Sequence, residues 1–347
     1  MDRYSTNNQT REVVSYFSYL RIVACICIII LHIVYSAVLV YGNSISAEQY
    51  THSMMICNNL MWAVPCFVMI TGALLLDPNR EVSLKKLFGK YISRMIWALA
   101  IAIVVFNFVD LWMNHDSFSV SMIGSMVYQF FTNTSWSHLW YLYLLIGLYL
   151  ILPAMKKITQ NANEKEIKYL LLIGFLFLSV FQLFNIWNVP FAFYIHISTI
   201  YPFYFLLGYA IQNRIIDLNR IKSLCLILVS TVLLLIATYQ FYMNGVQNID
   251  ILWSYNSVFV VIQSAGVFGF FQSIKKKETK TAHVLNAYTF GVYIFHMIIV
   301  RYLYKVMLIN PFTNTLWNFL WMISITTLIS FAFMFIIKKI PGLKKVY

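Results

Sequence analysis

The sequence predicts an all-α, polytopic integral membrane protein of about ten transmembrane helices, N-in/C-in, and three observations predict it. Charged residues make up only 11% of the 347 positions against 61% hydrophobic, and the mean hydropathy is +0.72, whereas soluble domains are charged at about 25%. Apolar runs long enough to cross a bilayer recur along the chain. The basic residues fall in alternate gaps between those runs, as the positive-inside rule requires.

The runs are roughly 18–41, 53–76, 91–112, 137–155, 169–187, 197–213, 222–243, 251–273, 286–308 and 314–337. Ahead of the first, Met1–Phe17 is polar, carries Arg3 and Arg11, and lacks the small-residue cleavage site of a signal peptide, so it reads as a tail before a retained helix. The gap 42–52 has no Lys or Arg. The gap 77–94 has Arg80, Lys85, Lys86, Lys90 and Arg94, and 113–136 again has none. The gap 156–168 has Lys156, Lys157, Lys165 and Lys168; 188–196 has none; 214–222 has Arg214, Arg220 and Lys222. The gap 244–250 has none, 274–285 has Lys275, Lys276, Lys277 and Lys280, and the final tail has Lys338, Lys339, Lys344 and Lys345. One side therefore collects 22 of the 25 basic residues, the exceptions being Arg21, Arg301 and Lys305. This organisation gives a cytoplasmic tail over 1–17, a membrane domain over 18–337 and a cytoplasmic tail over 338–347. No segment is long enough for a separate soluble domain. The longest outer gap, Met113 to Trp136, is polar and of the length at which loops become functional.

The net charge of +13 reflects topology, not nucleic-acid binding, because no basic stripe interleaves with aromatics outside the membrane. The five cysteines lie in apolar runs and match neither a disulfide framework nor a metal site. There is no P-loop, dinucleotide fingerprint, HExxH or GxSxG. The twelve Asp and Glu lie nearly all in gaps, with Asp110 close to the outer end of the third run. No chain of acids crosses the membrane, which argues against a proton-coupled pump.

Leu20–Val40 carries two residues that a bilayer disfavours, Arg21 and His32. On a helix they lie about 16 Å apart along the axis and within about 20° around it, on one face. His32, near mid-membrane, reads either as a neutral general base for a hydroxyl or as a packing histidine bonded to a neighbour. Arg21, near the helix start, reads as a ligand for phosphate or carboxylate or as the end of the span. His296 in the ninth run reads as facing the same cavity or as a core histidine. His138, with Trp140 and Tyr141, reads as part of an interfacial belt or as a stacking surface for a sugar ring. Pro65 and Gly72 mark a second helix that bends and packs closely. The cations from Arg80 to Arg94, Lys85 among them, serve as topology signals and can draw in an anionic cosubstrate.

These residues together resemble a known family. An Arg, ten residues and a His in the first helix are Arg21 and His32. VPCFVMITGALLL supplies Pro65, Phe67, Thr71 and Gly72. SHLWYLY supplies His138, Leu139, Trp140 and Tyr141. YPFYFLLGYAI supplies Phe205 and Gly208, and FGVYIFH supplies Gly291, Tyr293 and His296. Five such motifs in order, on ten runs, resemble the membrane-bound acyltransferases of family 3, the group that O-acetylates bacterial surface sugars. Two positions depart from the family pattern: Ser18 stands where an acid is common, and Ile22 where Gly is common.

The resemblance implies a bacterial cytoplasmic-membrane enzyme moving an acyl group from acyl-CoA, most often acetyl-CoA, to a hydroxyl of a glycan or lipid-linked sugar. His32 would be the base, with Arg21, Lys85 and Arg94 on the acyl-CoA phosphates, and His138, Trp140, Tyr141 and His296 on the acceptor. No bound cofactor, metal or nucleic acid is expected. The rival expectation is a small-molecule transporter of the amino-acid-carrier kind.

Overall fold

The structure, a computed structural model, describes residues 3–187, 189, 199–246, 249–274 and 276–347, without the side chains of 3–14 and 345. Helix makes up 81% of it, and there is no strand among the described residues. His196, the opening residues 197–198 of the sixth expected span, Lys275, and the side chains of Arg3 and Arg11 lie outside that description.

The first run forms α1, Arg3–Tyr41, a single unbroken helix. The second divides into α2, Ala47–Leu60, and α3, Ala63–Leu75. The division has a local cause: Pro65 has no N–H to give the Met61 carbonyl, so the ladder lapses there, and Cys66 resumes it by donating to Trp62 O. Next come α4, Leu84–Asn114, α5, Ser121–Thr132, α6, Ser137–Asn161, and α7, Glu164–Trp187. They are followed by α8, Tyr201–Gln212, α9, Arg220–Met243, and α10, Val258–Ser273. The chain closes with α11, Lys280–Lys305, α12, Pro311–Ile337, and the short α13, Leu343–Val346.

Eight stretches among the described residues are long and apolar enough to cross a membrane, with α2 and α3 counting as one. The sixth and eighth expected spans are shorter helices. At 1.5 Å per residue, α8 covers about 18 Å and α10 about 24 Å, against a hydrocarbon core of about 30 Å. α10 starts late because Ser254, Asn256 and Ser257 form local turns, the Ser254 hydroxyl accepting from the Asn256 N–H in place of a helical bond. α8 is buried from Phe203 through Ile211.

The gap expected as a loop between Met113 and Trp136 contains α5. Paired amides hold it to α4: Asn107 Nδ2 donates to Gln129 Oε1 at 2.9 Å, and Gln129 Nε2 donates back at 3.3 Å. The Tyr143 hydroxyl donates to the Phe130 carbonyl at 2.7 Å.

The chain divides into two compact units. Unit 1 is Met1–Arg80 with Met155–Asn286, and unit 2 is Glu81–Ala154 with Ala287–Tyr347. In unit 1, α1 packs against α2, α3 and α10, and α3 crosses α8 in the most extensive helix contact. That crossing is a small-residue seam. A Cβ on Gly72 would stand 1.8 Å from the Phe205 carbonyl oxygen, and one on Gly208 would stand 2.1 Å from Met69 O. Each glycine thus admits the backbone of the other helix.

Candidate functional site

In unit 1, Arg21 and His32 share α1. The helix runs through both without a break, so the spacing of about 16 Å and the common face expected from the periodicity hold. Both side chains are half-buried among buried neighbours, Leu20, Ala24, Cys25, Ile28, Ile29, Leu31 and Ile33. The turn that carries His32 is tightly fixed. Leu31 packs in a buried cluster with Met61 and Val260, against which Leu60, Trp253 and Tyr255 are laid. Tyr35, one turn on, tilts against Trp253 at 4.8 Å. The Tyr204 hydroxyl donates to the Tyr255 carbonyl at 2.7 Å and ties this wall to α8.

The turn that carries Arg21 is strapped by residues 276–279. Ser15 Oγ donates to Lys276 O at 2.7 Å, and Tyr19 OH donates to Lys277 O at 3.1 Å. The Thr279 N–H donates to the Tyr19 oxygen at 3.3 Å. Between them the fully buried Ser18 hydroxyl donates to Glu278 Oε1 at 2.6 Å. A carboxylate therefore stands at the turn before Arg21 although the local sequence has none. Glu278 comes from 260 positions away, and no sequence pattern pointed to it. Its other oxygen faces His283 Nδ1 at 3.3 Å.

Unit 2 brings together four of the residues expected on the acceptor side and the motif tyrosine. His138 lies in the 3-10 turn that opens α6, and Tyr293 and His296 lie on α11. The His138 Nε2–H donates to Ile294 O at 2.8 Å, while the Tyr293 hydroxyl donates to His138 O at 2.6 Å. This reciprocal clamp fixes the ring. Because a carbonyl can only accept, neutral His138 carries its proton on Nε2 and its lone pair on Nδ1. The His296 Nδ1–H donates to Val292 O at 2.9 Å, so its lone pair lies on Nε2. The two rings are 5.8 Å apart, centroid to centroid, and His138 is 3% and His296 0% exposed. Tyr141 meets Tyr293 edge-on at 5.2 Å, and Trp140 meets Tyr141 at 6.1 Å. Each lone-pair nitrogen can accept a proton or a hydrogen bond from a hydroxyl.

Trp136, next to this cluster in sequence, is not an open platform. Its ring stacks on Phe106 at 4.3 Å, and the Arg301 guanidinium lies over it at 4.6 Å. Its indole N–H donates to Asp110 Oδ2 at 2.8 Å, and Asp110 Oδ1 pairs with Arg301 at 3.0 Å. Arg301 and Asp110, two polar residues at span ends, are thus partners of each other.

The cations expected on acyl-CoA have different surroundings within their own units. Lys85 lies on the exposed first turn of α4. Arg94 is engaged within unit 2: its Nε–H donates to Val346 O at 2.8 Å, and its guanidinium lies over Phe290 at 5.0 Å. The motif glycines have structural work. Gly72 and Gly208 form the α3–α8 seam, and Gly291 lets α11 approach the Met334 side chain on α12.

Apolar helices that keep Arg21, His32, His138 and His296 within them place this chain among multi-pass membrane proteins with ionisable groups in their spans, a placement that marks functional pathways. More particularly, the chain belongs to acyltransferase family 3, whose acyltransferase domain matches residues 14–337, nearly its whole length. It is a membrane acyltransferase. Comparison with curated proteins and with solved structures found no match.

Proposed function

We propose that this acyltransferase moves an acyl group, acetyl in the first instance, from acyl-CoA to a hydroxyl of a surface glycan or lipid-linked sugar. The observation that carries this reading is the Arg21–His32 face of α1, on one unbroken helix within the family-matched region. The charge pattern supports placing the Arg21 end, with both chain ends, on the cytoplasmic side of a bacterial cytoplasmic membrane, where acyl-CoA is made.

In this reading Arg21 pairs with a phosphate of the donor, its planar fork suiting bidentate contact. Glu278, held by Ser18, orders the turn from which Arg21 projects. His32 takes the proton from the acceptor hydroxyl as its oxygen attacks the thioester carbonyl. The C–S bond then breaks, and the departing thiolate takes the proton back from His32. Acyl group, proton and charge balance, and the products are the ester and free CoA. Within unit 2, His138, His296, Trp140 and Tyr141 are assigned as acceptor-side residues by the resemblance, and together they offer a sugar hydrogen-bonding groups and aromatic surface. The family match favours acyl transfer over export of a small molecule.

The test is the O-acetyl content of surface glycan, read by NMR, in cells with wild-type protein, His32→Ala or none. Loss of the acetyl signal in both the null and His32→Ala, with the variant still in the membrane, is the expected result. A normal acetyl pattern in the null overturns the acceptor assignment, and full acetylation by His32→Ala overturns the role of His32.

A further inference from the structure

Residues 343–347 fold back onto unit 2 through one buried side chain. Tyr347 is 1% exposed, and its hydroxyl donates to Ala98 O at 3.0 Å. Its ring meets Phe295 edge-on at 5.0 Å and Phe290 at 6.3 Å. Two cations hold its main-chain oxygen: Lys338 Nζ at 2.7 Å and Arg94 Nη2 at 3.3 Å. Leu343 and Val346 are only half-buried, Ile340 is 45% exposed, and Gly342 has open space where a Cβ would stand. The segment is a single helical turn anchored by one ring and a few polar contacts, which is how segments that open locally are built.

The seat under Tyr347 has three parts: an aromatic wall from Phe290 and Phe295, a main-chain acceptor at Ala98, and a cation pair from Arg94 and Lys338. Burial and the neighbouring Arg94 and Lys344 charges hold the Lys338 ammonium below the ordinary lysine range. An anion arriving on the pair relieves that repulsion. An aromatic ring with an N–H donor at one end and phosphate at the other matches all three parts. The adenosine bisphosphate portion of CoA has that chemistry.

We infer that Tyr347 is an autoinhibitory plug in a site for a phosphorylated purine, the nucleotide end of the acyl donor, recognised by Arg94, Lys338, Phe290, Phe295 and the Ala98 carbonyl. The identity of the ligand rests on the acyl-CoA reading above. When the segment lifts, the purine amino group takes the place of the phenol on Ala98 O and the phosphates take the place of the Tyr347 main-chain oxygen. A closed plug lowers apparent affinity by the fraction of time the seat is open.

The test is calorimetric binding of adenosine 3′,5′-bisphosphate to the full chain in detergent. Tyr347→Ala is expected to bind it about tenfold more tightly than wild type, the gain for a seat otherwise open a tenth of the time. Arg94→Gln added to Tyr347→Ala is expected to abolish the gain. Tyr347→Phe keeps the ring, loses the bond to Ala98, and is expected to bind with intermediate affinity; it carries the test if Tyr347→Ala fails to accumulate. Unchanged or weaker binding by both Tyr347 variants, or tightening that survives Arg94→Gln, overturns the inference. The readout is binding of the nucleotide portion by itself and involves no acyl transfer. Failure here therefore leaves the acyl-transfer reading to the acetyl measurement, and failure there leaves the plug to this one.

Discussion

Gly72→Ala is the sharpest test of the packing. The new methyl would stand 1.8 Å from the Phe205 carbonyl oxygen, where ordinary contact begins at 3.4 Å, and the obstacle is backbone that no rotamer change removes. α3 and α8 must therefore separate by about 1.6 Å along that vector, and a gap of 0.5–1 Å already forfeits roughly a quarter to a half of a dispersion contact. The loss spreads over a seam in which α3 buries Val68, Met69, Ile70 and Ala73, and α8 buries Tyr204, Phe205 and Leu207. Overpacking of this kind costs about 3 kcal/mol at the upper end of its usual range. Unit 1 has about 210 residues, a size at which each kcal/mol shifts Tm by roughly 2–4 °C, so the expected fall is about 6–12 °C. The assay is thermal unfolding in detergent followed by a thiol-reactive fluorophore. Cys25, Cys57 and Cys66 are buried in this unit and react only as it opens. Gly147→Ala is the control, since its Cβ meets nothing within 4 Å, and it should melt at or slightly above wild type. A Gly72→Ala protein melting within about 1 °C of that control would refute the seam.

Other outcomes follow from named contacts. Ser18→Ala and Glu278→Ala remove the same hydrogen bond, so the double variant should be no less stable than the worse single one. A strictly additive double-mutant cycle in thermal unfolding would show that the two residues are independent. Tyr293→Phe removes the donor on the His138 carbonyl and should cost about 1 kcal/mol; an unchanged melting temperature would mean the clamp contributes nothing. Arg301→Gln breaks a pair whose members are about a third exposed, so about 0.5–1 kcal/mol is expected and salt should weaken the difference. A tag at either chain end should resist labelling from outside intact cells, and labelling there would reverse the proposed orientation.

What the sequence determined by itself was set residue by residue. Apolar runs, basic gaps and the Arg21–His32 face depend on local hydropathy and on the fixed 3.6-residue period. The span over 18–41 therefore emerged as a helix, although α1 begins fifteen residues earlier, at Arg3, and the all-helical membrane class held as well. Even the small-residue reading of Pro65 and Gly72 was available, because a proline always removes a donor and a glycine always removes a side chain. The tertiary structure decided the pairings. Glu278 reaches Ser18 across 260 positions, and His138 reaches Ile294 across 156. It shortened the sixth and eighth expected spans, put a helix where a loop was expected, and gave Arg94 the Tyr347 segment as its partner. The reason is physical. A hydropathy pattern records which solvent each residue meets, whereas a hydrogen bond between distant helices depends on where packing brings two backbones, and many pairings are compatible with one pattern of polarity.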